Sequence, residues 1–370
     1  MSSDQATLRS PDCALPAPST GEVVVASRLT ASAGPVAGAP APRTAAAADR
    51  LGIDLTSYLR WLPRRSGAWR YHALLFVLGR VMKLRGDSGV DILALRRRLA
   101  RNDARYFRLP AWATRQAVDT AGVQSEWIAG DHTDPSRIVL YLHGGAFAFR
   151  FPNAHGQFAA RLGRALRAAV LLPDYRLAPE HRYPAALDDC LAAYRWLLDR
   201  GTPPERIVVG GESAGGCLTL GLLLRLAREG LPQPAAAVAL SPVTDAELSG
   251  ETIRTRAAVD PVLPAEMLPL LRDLYLAVEH RRDEGASPLL GRYDGIAPVL
   301  IQVGTREVLL DDSLRVAQRI HETGGQVACE VWHDMPHAFP LVALLTESRL
   351  AIDHIAGFVA TRAGWAPPVG

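Results

Sequence analysis

The protein has 370 residues, of which 41 are Lys or Arg and 38 are Asp or Glu, so its net charge is +3. A chain of this length buries most of its apolar surface, and the balanced charge excludes the basic surface that nucleic-acid binding needs. The cysteines lie far apart without a CxxC or His/Cys cluster, which argues against a zinc site or a disulfide framework; they are Cys13, Cys190, Cys217 and Cys329.

The N-terminal region does not have the pattern of a secretory signal peptide, although its content of Ala, Ser and Arg also occurs in transit peptides. The first residues, MSSDQATLRS, lack the basic and apolar parts of a secretory signal peptide, and no stretch reaches the roughly 18 to 20 apolar residues that span a bilayer. Residues 1–48 are rich in Ala, Pro, Ser, Gly and Thr, which predicts a disordered tail. We therefore expect a soluble, cytoplasmic protein with a disordered N-terminus.

Residues 49–116 have a helical pattern. In YHALLFVLGRVMKLR (71–85), apolar residues recur every three or four positions with basic residues at the edges. We interpret this stretch as a packed amphipathic helix of an N-terminal helical cap segment. A membrane-surface or substrate-entrance role is the alternative.

From residue 117 onward, buried-strand patterns alternate with helical ones, which predicts an α/β fold with a mostly parallel sheet covered by helices. The strand-like runs are IVLYL (138–142), AAVLL (168–172), RIVVG (206–210), AAVAL (236–240), PVLIQV (298–303) and VACEVW (327–332). The helix-like stretches are HGQFAARLGRAL (155–166), LDDCLAAYRWLLD (187–199), LTLGLLLRLARE (218–229) and SLRVAQRIHETG (313–324).

A Pro-punctuated, helix-like insert interrupts this alternation at 245–292. Ligands of open α/β sheets bind beyond the carboxyl ends of the strands, where such an insert would lie. We therefore predict a cap insert at 245–292 that divides an α/β core into two parts, 117–244 and 293–370.

The segment GGESAGG (210–216) contains the pentapeptide G-x-S-x-G centred on Ser213. Such a match is weak alone, because Ser beside Gly is often only a turn. Here it follows a strand and opens a helix, and a strand-to-helix elbow exposes the serine hydroxyl. Ser213 is therefore the predicted nucleophile.

The segment YLHGGAFAF (141–149) also follows a buried strand. Its glycines could present backbone N–H groups to a tetrahedral oxyanion, although a plain glycine turn is the alternative. Together with the serine elbow, the pattern predicts oxyanion donors at Gly144, Gly145 and Ala214.

The serine needs a general base and an acid to orient it, in the chain order Ser, acid, His. His337 follows the last strand in a Pro-punctuated turn, whereas His333, His321 and His143 have simpler structural explanations. Glu307 lies in the first turn after a strand and is the predicted acid. Asp311, the fallback, and Asp312 precede a helix, where capping explains them.

The chain resembles the hormone-sensitive-lipase-like branch of the α/β-hydrolases, the bacterial family IV carboxylesterases. The matching segments are HGGAF (143–147), DYRLAPEHRYPAALDD (174–189), GESAGG (211–216), ASPLLG (286–291), VGTREVLLDD (303–312) and MPHAF (335–339). Two departures are Ala146, where many members have a third glycine, and Arg306, where some members have an aspartate. Ala146 leaves the predicted donors Gly144 and Gly145 in place. Arg306 removes one candidate for the acid and leaves Glu307.

The resemblance implies about eight mostly parallel strands, a helical lid, and ester hydrolysis through an acyl-enzyme without a metal or organic cofactor. Carried over residue by residue, Ser213 matches the nucleophile, His337 the base, and the same backbone groups the oxyanion donors. Tyr175, Arg176 and Glu180 match a signature that braces the oxyanion loop.

We therefore expect a serine carboxylesterase that acts on small-molecule esters of short or medium acyl chains. One alternative is a non-catalytic small-molecule receptor of the same fold. Another is a related hydrolase of amides, formamides or natural-product esters. As partners we expect the ester substrate but no nucleic acid, and we leave a homodimer open.

Overall fold

The computed structural model describes residues 58–64 and 91–365, and these form a central sheet of nine strands. The strands are β1 (Leu59–Leu62), β2 (Ala113–Thr120), β3 (Val123–Gly130), β4 (Asp134–Leu142), β5 (Ala168–Pro173), β6 (Ile207–Glu212), β7 (Ala236–Leu240), β8 (Val299–Gly304) and β9 (Val327–Trp332). Their order across the sheet is β1-β9-β8-β7-β6-β4-β5-β3-β2.

The sheet is parallel except at one edge. Along the sheet order β1-β9-β8-β7-β6-β4-β5, every neighbouring pair of strands is parallel. Strand β3 is antiparallel to both of its neighbours, β5 and β2. Strands β2 and β3 form a hairpin whose two loop residues, Ala121 and Gly122, have φ angles of 58° and 91°. Positive φ at both positions suits the right-handed twist of a tight hairpin.

Helices cover both faces of the sheet. They are α1 (Ile92–Tyr106), α2 (Pro152–Leu166), α3 (Ala185–Asp199), α4 (Ala214–Arg228), α5 (Glu251–Thr255), α6 (Leu268–Tyr275), α7 (Leu310–Glu322) and α8 (Thr346–Ala363). Short 3₁₀ turns lie at Pro204–Arg206, Ala265–Met267, Val278–His280, Pro288–Leu290 and Phe339–Leu341.

Alternate residues of the central strands enter different hydrophobic cores. In β4, Leu140 and Leu142 pack with α3 and α4, while Val139 and Tyr141 pack with α2 and α8 on the opposite face. Because side chains of a strand alternate between the two faces, a strand buried on both sides reads as a continuous apolar run. This explains why the six predicted strands could be recognised, and all six are confirmed.

Three strands of the sheet, β1, β2 and β3, were not predicted. Strand β1 and the first residues of β2 lie within 49–116, so the expectation of a wholly helical segment is wrong there. Strand β1 has only four residues and pairs with β9, far away in sequence, so local periodicity does not reveal it. The tail at 1–48 and the stretch at 71–85 lie outside the described residues.

Helix α1 packs on the loops at the carboxyl ends of the strands. Its Ile92, Leu95 and Leu99 contact a cluster formed by the loop after β4 and the insert; the other members are Ala148, Phe149, Met267 and Leu271. Spacing of three and four residues places the helix side chains on one face. In the described part of the chain, no helix is long and apolar enough to cross a membrane.

Candidate active site

Four neighbouring strands end at the candidate site. In the sheet order β9-β8-β7-β6, the loops that follow carry His337, Glu307, Ser241 and Ser213 respectively. Because the carboxyl ends of parallel strands lie at one edge, residues more than a hundred positions apart in sequence meet there.

Ser213 lies at the sharp turn between β6 and α4. Its φ and ψ angles are 57° and −118°, a strained conformation for a residue with a side chain. Its N–H donates to Leu240 O at 2.8 Å, which fixes the turn to the end of β7. A Cβ on Gly215 would collide with the carbonyl of Leu142, so the elbow needs glycine at that position.

Strained residues concentrate around this edge of the sheet. Of the nine non-glycine positive φ angles among the described residues, seven lie after β4, β6, β7 and β9, at Ala146, Phe147, Ser213, Ser241, Leu248, Asp334 and Ala338; the other two are at Ala121 and Arg167. Each such residue costs of the order of 1–3 kcal/mol and persists only where surrounding contacts hold it. Clusters of strain of this kind are typical of functional sites.

Glu307 and His337 are in direct contact. His337 Nδ1 and Glu307 Oε2 are 2.9 Å apart, and both side chains are buried, with 7% and 0% of their surface exposed. A carboxylate that accepts the Nδ1 proton leaves Nε2 free to take a proton from a hydroxyl.

The other oxygen of Glu307 is held by separate donors. Oε1 accepts from Gly304 N at 2.6 Å and from Ser241 Oγ at 2.8 Å, and Ser241 Oγ in turn accepts from Ala338 N at 3.2 Å. Ser241 therefore links the acid to the loop that carries His337. Sequence reasoning did not single out this serine, which follows β7 and has no motif of its own.

Two opposing effects act on the pKa of His337. Burial of the imidazole lowers its pKa, but the hydrogen bond and the charge of Glu307 outweigh burial and raise the pKa above its ordinary value of 6.5. The imidazolium that forms when His337 accepts a proton is thus stabilised by its neighbour.

Asp311 and Asp312 contact the insert, not the histidine. Asp311 Oδ2 accepts from Thr252 N at 2.9 Å, and Asp312 Oδ2 accepts from Thr244 N at 2.7 Å. The N-cap of α7 is Leu309, and no side chain caps this helix. The interpretation of the two aspartates as hydrogen-bonding helix caps is therefore wrong, because backbone N–H groups of residues 244–252 occupy their side chains. Both nevertheless lie in the first turn of α7, where the helix dipole favours an acidic side chain.

Asp260 in the insert is a second residue of the site that the sequence analysis did not identify. Its Oδ2 accepts from Val308 N at 3.0 Å, directly after Glu307, and its Oδ1 accepts from Val262 N and Leu263 N at 2.9 and 3.0 Å. This buried carboxylate ties the insert to the loop that carries Glu307.

The remaining histidine candidates lie elsewhere. His333 is exposed and its N–H donates to Leu62 O at 2.8 Å, while His321 is exposed on α7. His143 is fully buried, with its ring stacked on Tyr175 at a centroid distance of 4.1 Å. Burial lowers the pKa of His143 well below its ordinary value, so this histidine stays neutral.

One predicted oxyanion donor is already engaged. Gly144 N donates to Glu212 Oε1 at 2.6 Å, which contradicts its prediction as a donor, because a backbone N–H points to only one such acceptor. The N–H groups of Gly145, Ala146 and Ala214 make no hydrogen bond to the rest of the described chain. These three N–H groups can therefore donate to a bound ligand, whereas the N–H of Gly144 already donates to Glu212.

Glu212, the residue before Ser213, holds the turn after β4. Besides Gly144 N, it accepts from Tyr141 Oη, and His155 Nε2 lies 3.1 Å from Oε1. In the pattern G-x-S-x-G this position is the variable residue before the serine. The signal that could have identified it is a carboxylate within a buried strand end, which requires donors nearby.

The predicted supports of the turn differ in what they contact. Tyr175 Oη donates to His143 O at 2.6 Å, so it touches the turn directly. Arg176 pairs with Asp189 at 2.7 Å, away from the turn. Glu180 pairs with Arg96 of α1 at 2.6 Å.

No hydrogen bond joins Ser213 and His337 within the described residues. In enzymes without bound substrate, catalytic hydrogen bonds are often long and tighten in the complex with substrate. The edge of the sheet thus combines a serine in a strained turn, an imidazole oriented by a buried carboxylate, and backbone N–H groups that are unpaired within the described residues.

Comparison with known proteins assigns the family. A model described as the alpha/beta hydrolase fold matches residues 139–341. The chain is 40% identical over 241 residues to an acetyl-hydrolase of Streptomyces hygroscopicus, covering 65% of this chain and 80% of that protein. A crystal structure of an esterase from the bacterial hormone-sensitive lipase family is similar, with a TM-score of 0.75 and 33% identity, and the match covers 81% of this chain and 100% of that one. The chain belongs to the hormone-sensitive-lipase-like carboxylesterases of the α/β-hydrolase superfamily.

The present chain is also similar to the crystal structure of EstE5 that was soaked with p-nitrophenyl butyrate. The TM-score is 0.76 at 33% identity, and the match covers 80% of this chain and 100% of that one. As a member of this family, the protein is a carboxylic ester hydrolase. The fold class and the family expected from the sequence motifs are confirmed.

Proposed function

We propose that this esterase hydrolyses carboxylic esters of short to medium acyl chains, with Ser213 as nucleophile, His337 as general base and Glu307 as the acid that orients the base. The observation that carries the proposal is the 2.9 Å contact between His337 Nδ1 and buried Glu307, beside a serine in a strained elbow. The printed names of two similar proteins, an acetyl-hydrolase and an esterase soaked with p-nitrophenyl butyrate, favour short acyl groups.

In the first half-reaction, Ser213 Oγ attacks the ester carbonyl carbon while its proton passes to His337 Nε2. The carbonyl oxygen becomes an oxyanion, which backbone N–H groups stabilise. Collapse of the tetrahedral intermediate breaks the bond to the alcohol, which leaves with the proton from His337. In the second half-reaction, water activated by His337 attacks the acyl-enzyme and releases the acid and free Ser213.

For the oxyanion we propose Gly145, Ala146 and Ala214 as donors. Gly145 and Ala214 keep their predicted roles, and Ala146 replaces Gly144, whose N–H is bound to Glu212. Support comes from the turn itself, in which Gly145 and Ala146 have positive φ angles of 114° and 53° and their N–H groups make no hydrogen bond to the described chain.

A fluorophosphonate probe together with p-nitrophenyl acetate turnover tests the proposal. The wild-type protein should be labelled and should release p-nitrophenol, whereas Ser213→Ala should do neither. Ser249→Ala, a loop serine bound to Asp245, serves as the matched control and should behave as wild type. Labelling that persists in Ser213→Ala would overturn the nucleophile, and substrate binding without turnover in the wild type would favour the receptor alternative.

A series of p-nitrophenyl esters with increasing acyl length then tests the substrate class. We expect kcat/KM to be greatest for short to medium chains. A maximum at long acyl chains, or efficient cleavage of the matching anilides, would instead favour a lipase-type or amide substrate.

A further inference from the structure

The turn after β4 contains three consecutive residues with positive φ, which are Gly145 at 114°, Ala146 at 53° and Phe147 at 57°. Two of them carry side chains, for which this conformation is unfavourable. Such a backbone persists only where neighbouring contacts determine it. The contacts that hold this turn therefore decide where its N–H groups point.

Arg96 of α1 forms a hydrogen bond to the backbone at the end of this turn. Its Nε donates to Ala148 O at 2.6 Å, one residue after the strained run. The N–H groups of Ala148 and Phe149 in turn donate to Gly145 O at 3.0 and 2.8 Å. A guanidinium bound to Ala148 O thus restrains the peptide groups that surround Gly145 and Ala146.

The same guanidinium also binds the loop after β5, at Ala178 and Glu180. Nη2 donates to Ala178 O, and the fork pairs with both oxygens of Glu180 at 2.6 and 2.9 Å. Ala178 N also donates to Phe147 O at 2.8 Å. Arg96 and the Ala178 peptide therefore hold the turn between them, and the bidentate pair with Glu180 fixes the direction of the guanidinium.

Arg96 reaches the turn because α1 is docked on it. Ile92, Leu95 and Leu99 pack against Ala148 and Phe149 themselves. The helix that covers the site and the turn that is proposed to bind the oxyanion are consequently one packed unit.

We propose that Arg96 is a positioning residue, which keeps the N–H groups of Gly145 and Ala146 aimed at the oxyanion and makes their alignment depend on the docking of α1. This inference rests on the proposed function, in which those groups stabilise the tetrahedral intermediate. Arg96 acts on the transition state through the turn and makes no contact with the ester.

The test compares Arg96→Met and Arg96→Lys with wild type. Met retains the packing of the aliphatic stem, and Lys retains the charge but cannot donate in several directions from one plane. A displacement of about 1 Å in catalytic geometry costs about a hundredfold in rate. We therefore expect kcat of Arg96→Met to fall about a hundredfold with KM within about threefold, and Arg96→Lys to be intermediate.

A short-chain alkyl trifluoromethyl ketone provides a readout specific for the oxyanion. Ser213 Oγ adds to its carbonyl carbon, the Ser213 proton passes to His337, and the carbonyl oxygen becomes a bound oxyanion, all reversibly. Its inhibition constant should rise by the same factor by which kcat/KM falls. The matched control is Arg97→Ala, an exposed arginine on the same helix, which should match wild type in both measurements.

Three results would overturn the inference. The first is Arg96 variants with kcat and ketone affinity equal to those of Arg97→Ala. The second is a loss carried by KM alone. The third is a loss no larger than the unfolded fraction measured by circular dichroism at the assay temperature. Since Ser213→Ala is assayed beside them, failure of the proposed function would appear separately, as turnover that survives the loss of the serine.

Discussion

Replacing Glu307 by glutamine removes one charge from a site where both carboxylate oxygens accept hydrogen bonds. Glu307 Oε2 faces His337 Nδ1, and Oε1 accepts from both Gly304 N and Ser241 Oγ. The amide of glutamine has one oxygen and one NH₂ group, so it can satisfy only one of these two sides.

Each orientation of the amide has a definite cost. If the oxygen stays with Gly304, the NH₂ group faces Nδ1, the imidazole proton moves to Nε2, and His337 can no longer accept the proton of Ser213. If the amide is reversed, NH₂ opposes the N–H of Gly304, and a buried unpaired donor costs about 1–3 kcal/mol. The first orientation leaves the fold intact, so we expect it to dominate.

The expected loss in kcat is about 10⁴-fold, the value typical of a triad with the wrong tautomer, or about 5.5 kcal/mol in activation free energy. Hydrolysis of p-nitrophenyl acetate and the midpoint of thermal unfolding should be measured together. The control is Asp311→Asn, which weakens the contact with Thr252 and should cost about 1–2 kcal/mol of stability and less than tenfold in rate. A greater loss of activity in Asp311→Asn than in Glu307→Gln would refute the assignment of the acid.

Two further predictions concern pH and the residue before the nucleophile. Catalysis requires neutral His337, and Glu307 raises the pKa of that imidazole above 6.5, so kcat/KM should fall as the pH drops through the raised value. In Glu307→Gln the acid limb of the residual activity should move to lower pH, because burial then acts without the opposing carboxylate; an unchanged limb would contradict this origin of the shift. Glu212→Gln should lower kcat/KM about a hundredfold with little change in KM, because its NH₂ group would face either Gly144 N or Tyr141 Oη in place of an acceptor oxygen. Its matched control, Glu251→Gln on an exposed helix, should keep wild-type kinetics, and equal activity of the two variants would show that the Glu212 contacts do not position the turn.

Several features of the fold were predictable because their signals are local. Strands buried on both faces appear as apolar runs, and the elbow at Ser213 requires small neighbours within a few residues. Chain order then limited the acid to residues between Ser213 and His337, and its position in the first turn after a strand favoured Glu307, whose Oε2 lies 2.9 Å from His337 Nδ1 in the structure.

The contacts of the polar groups were not predictable in the same way. Asp311 and Asp312 have the sequence pattern of helix caps but accept from the insert, which lies some 60 positions earlier. Gly144 and Gly145 are equivalent glycines in the sequence, yet only Gly144 is bound to Glu212.

The sequence by itself therefore determined the α/β architecture, the family and the loops that carry the candidate site, because periodicity, glycine requirements and chain order are properties of short segments. Only the tertiary structure decided which backbone N–H groups remain unpaired, where β1 pairs, and that Arg96 of α1 holds the turn after β4. Those outcomes depend on hydrogen-bond partners brought together from distant parts of the chain, and a buried donor binds whichever acceptor the packing places within reach.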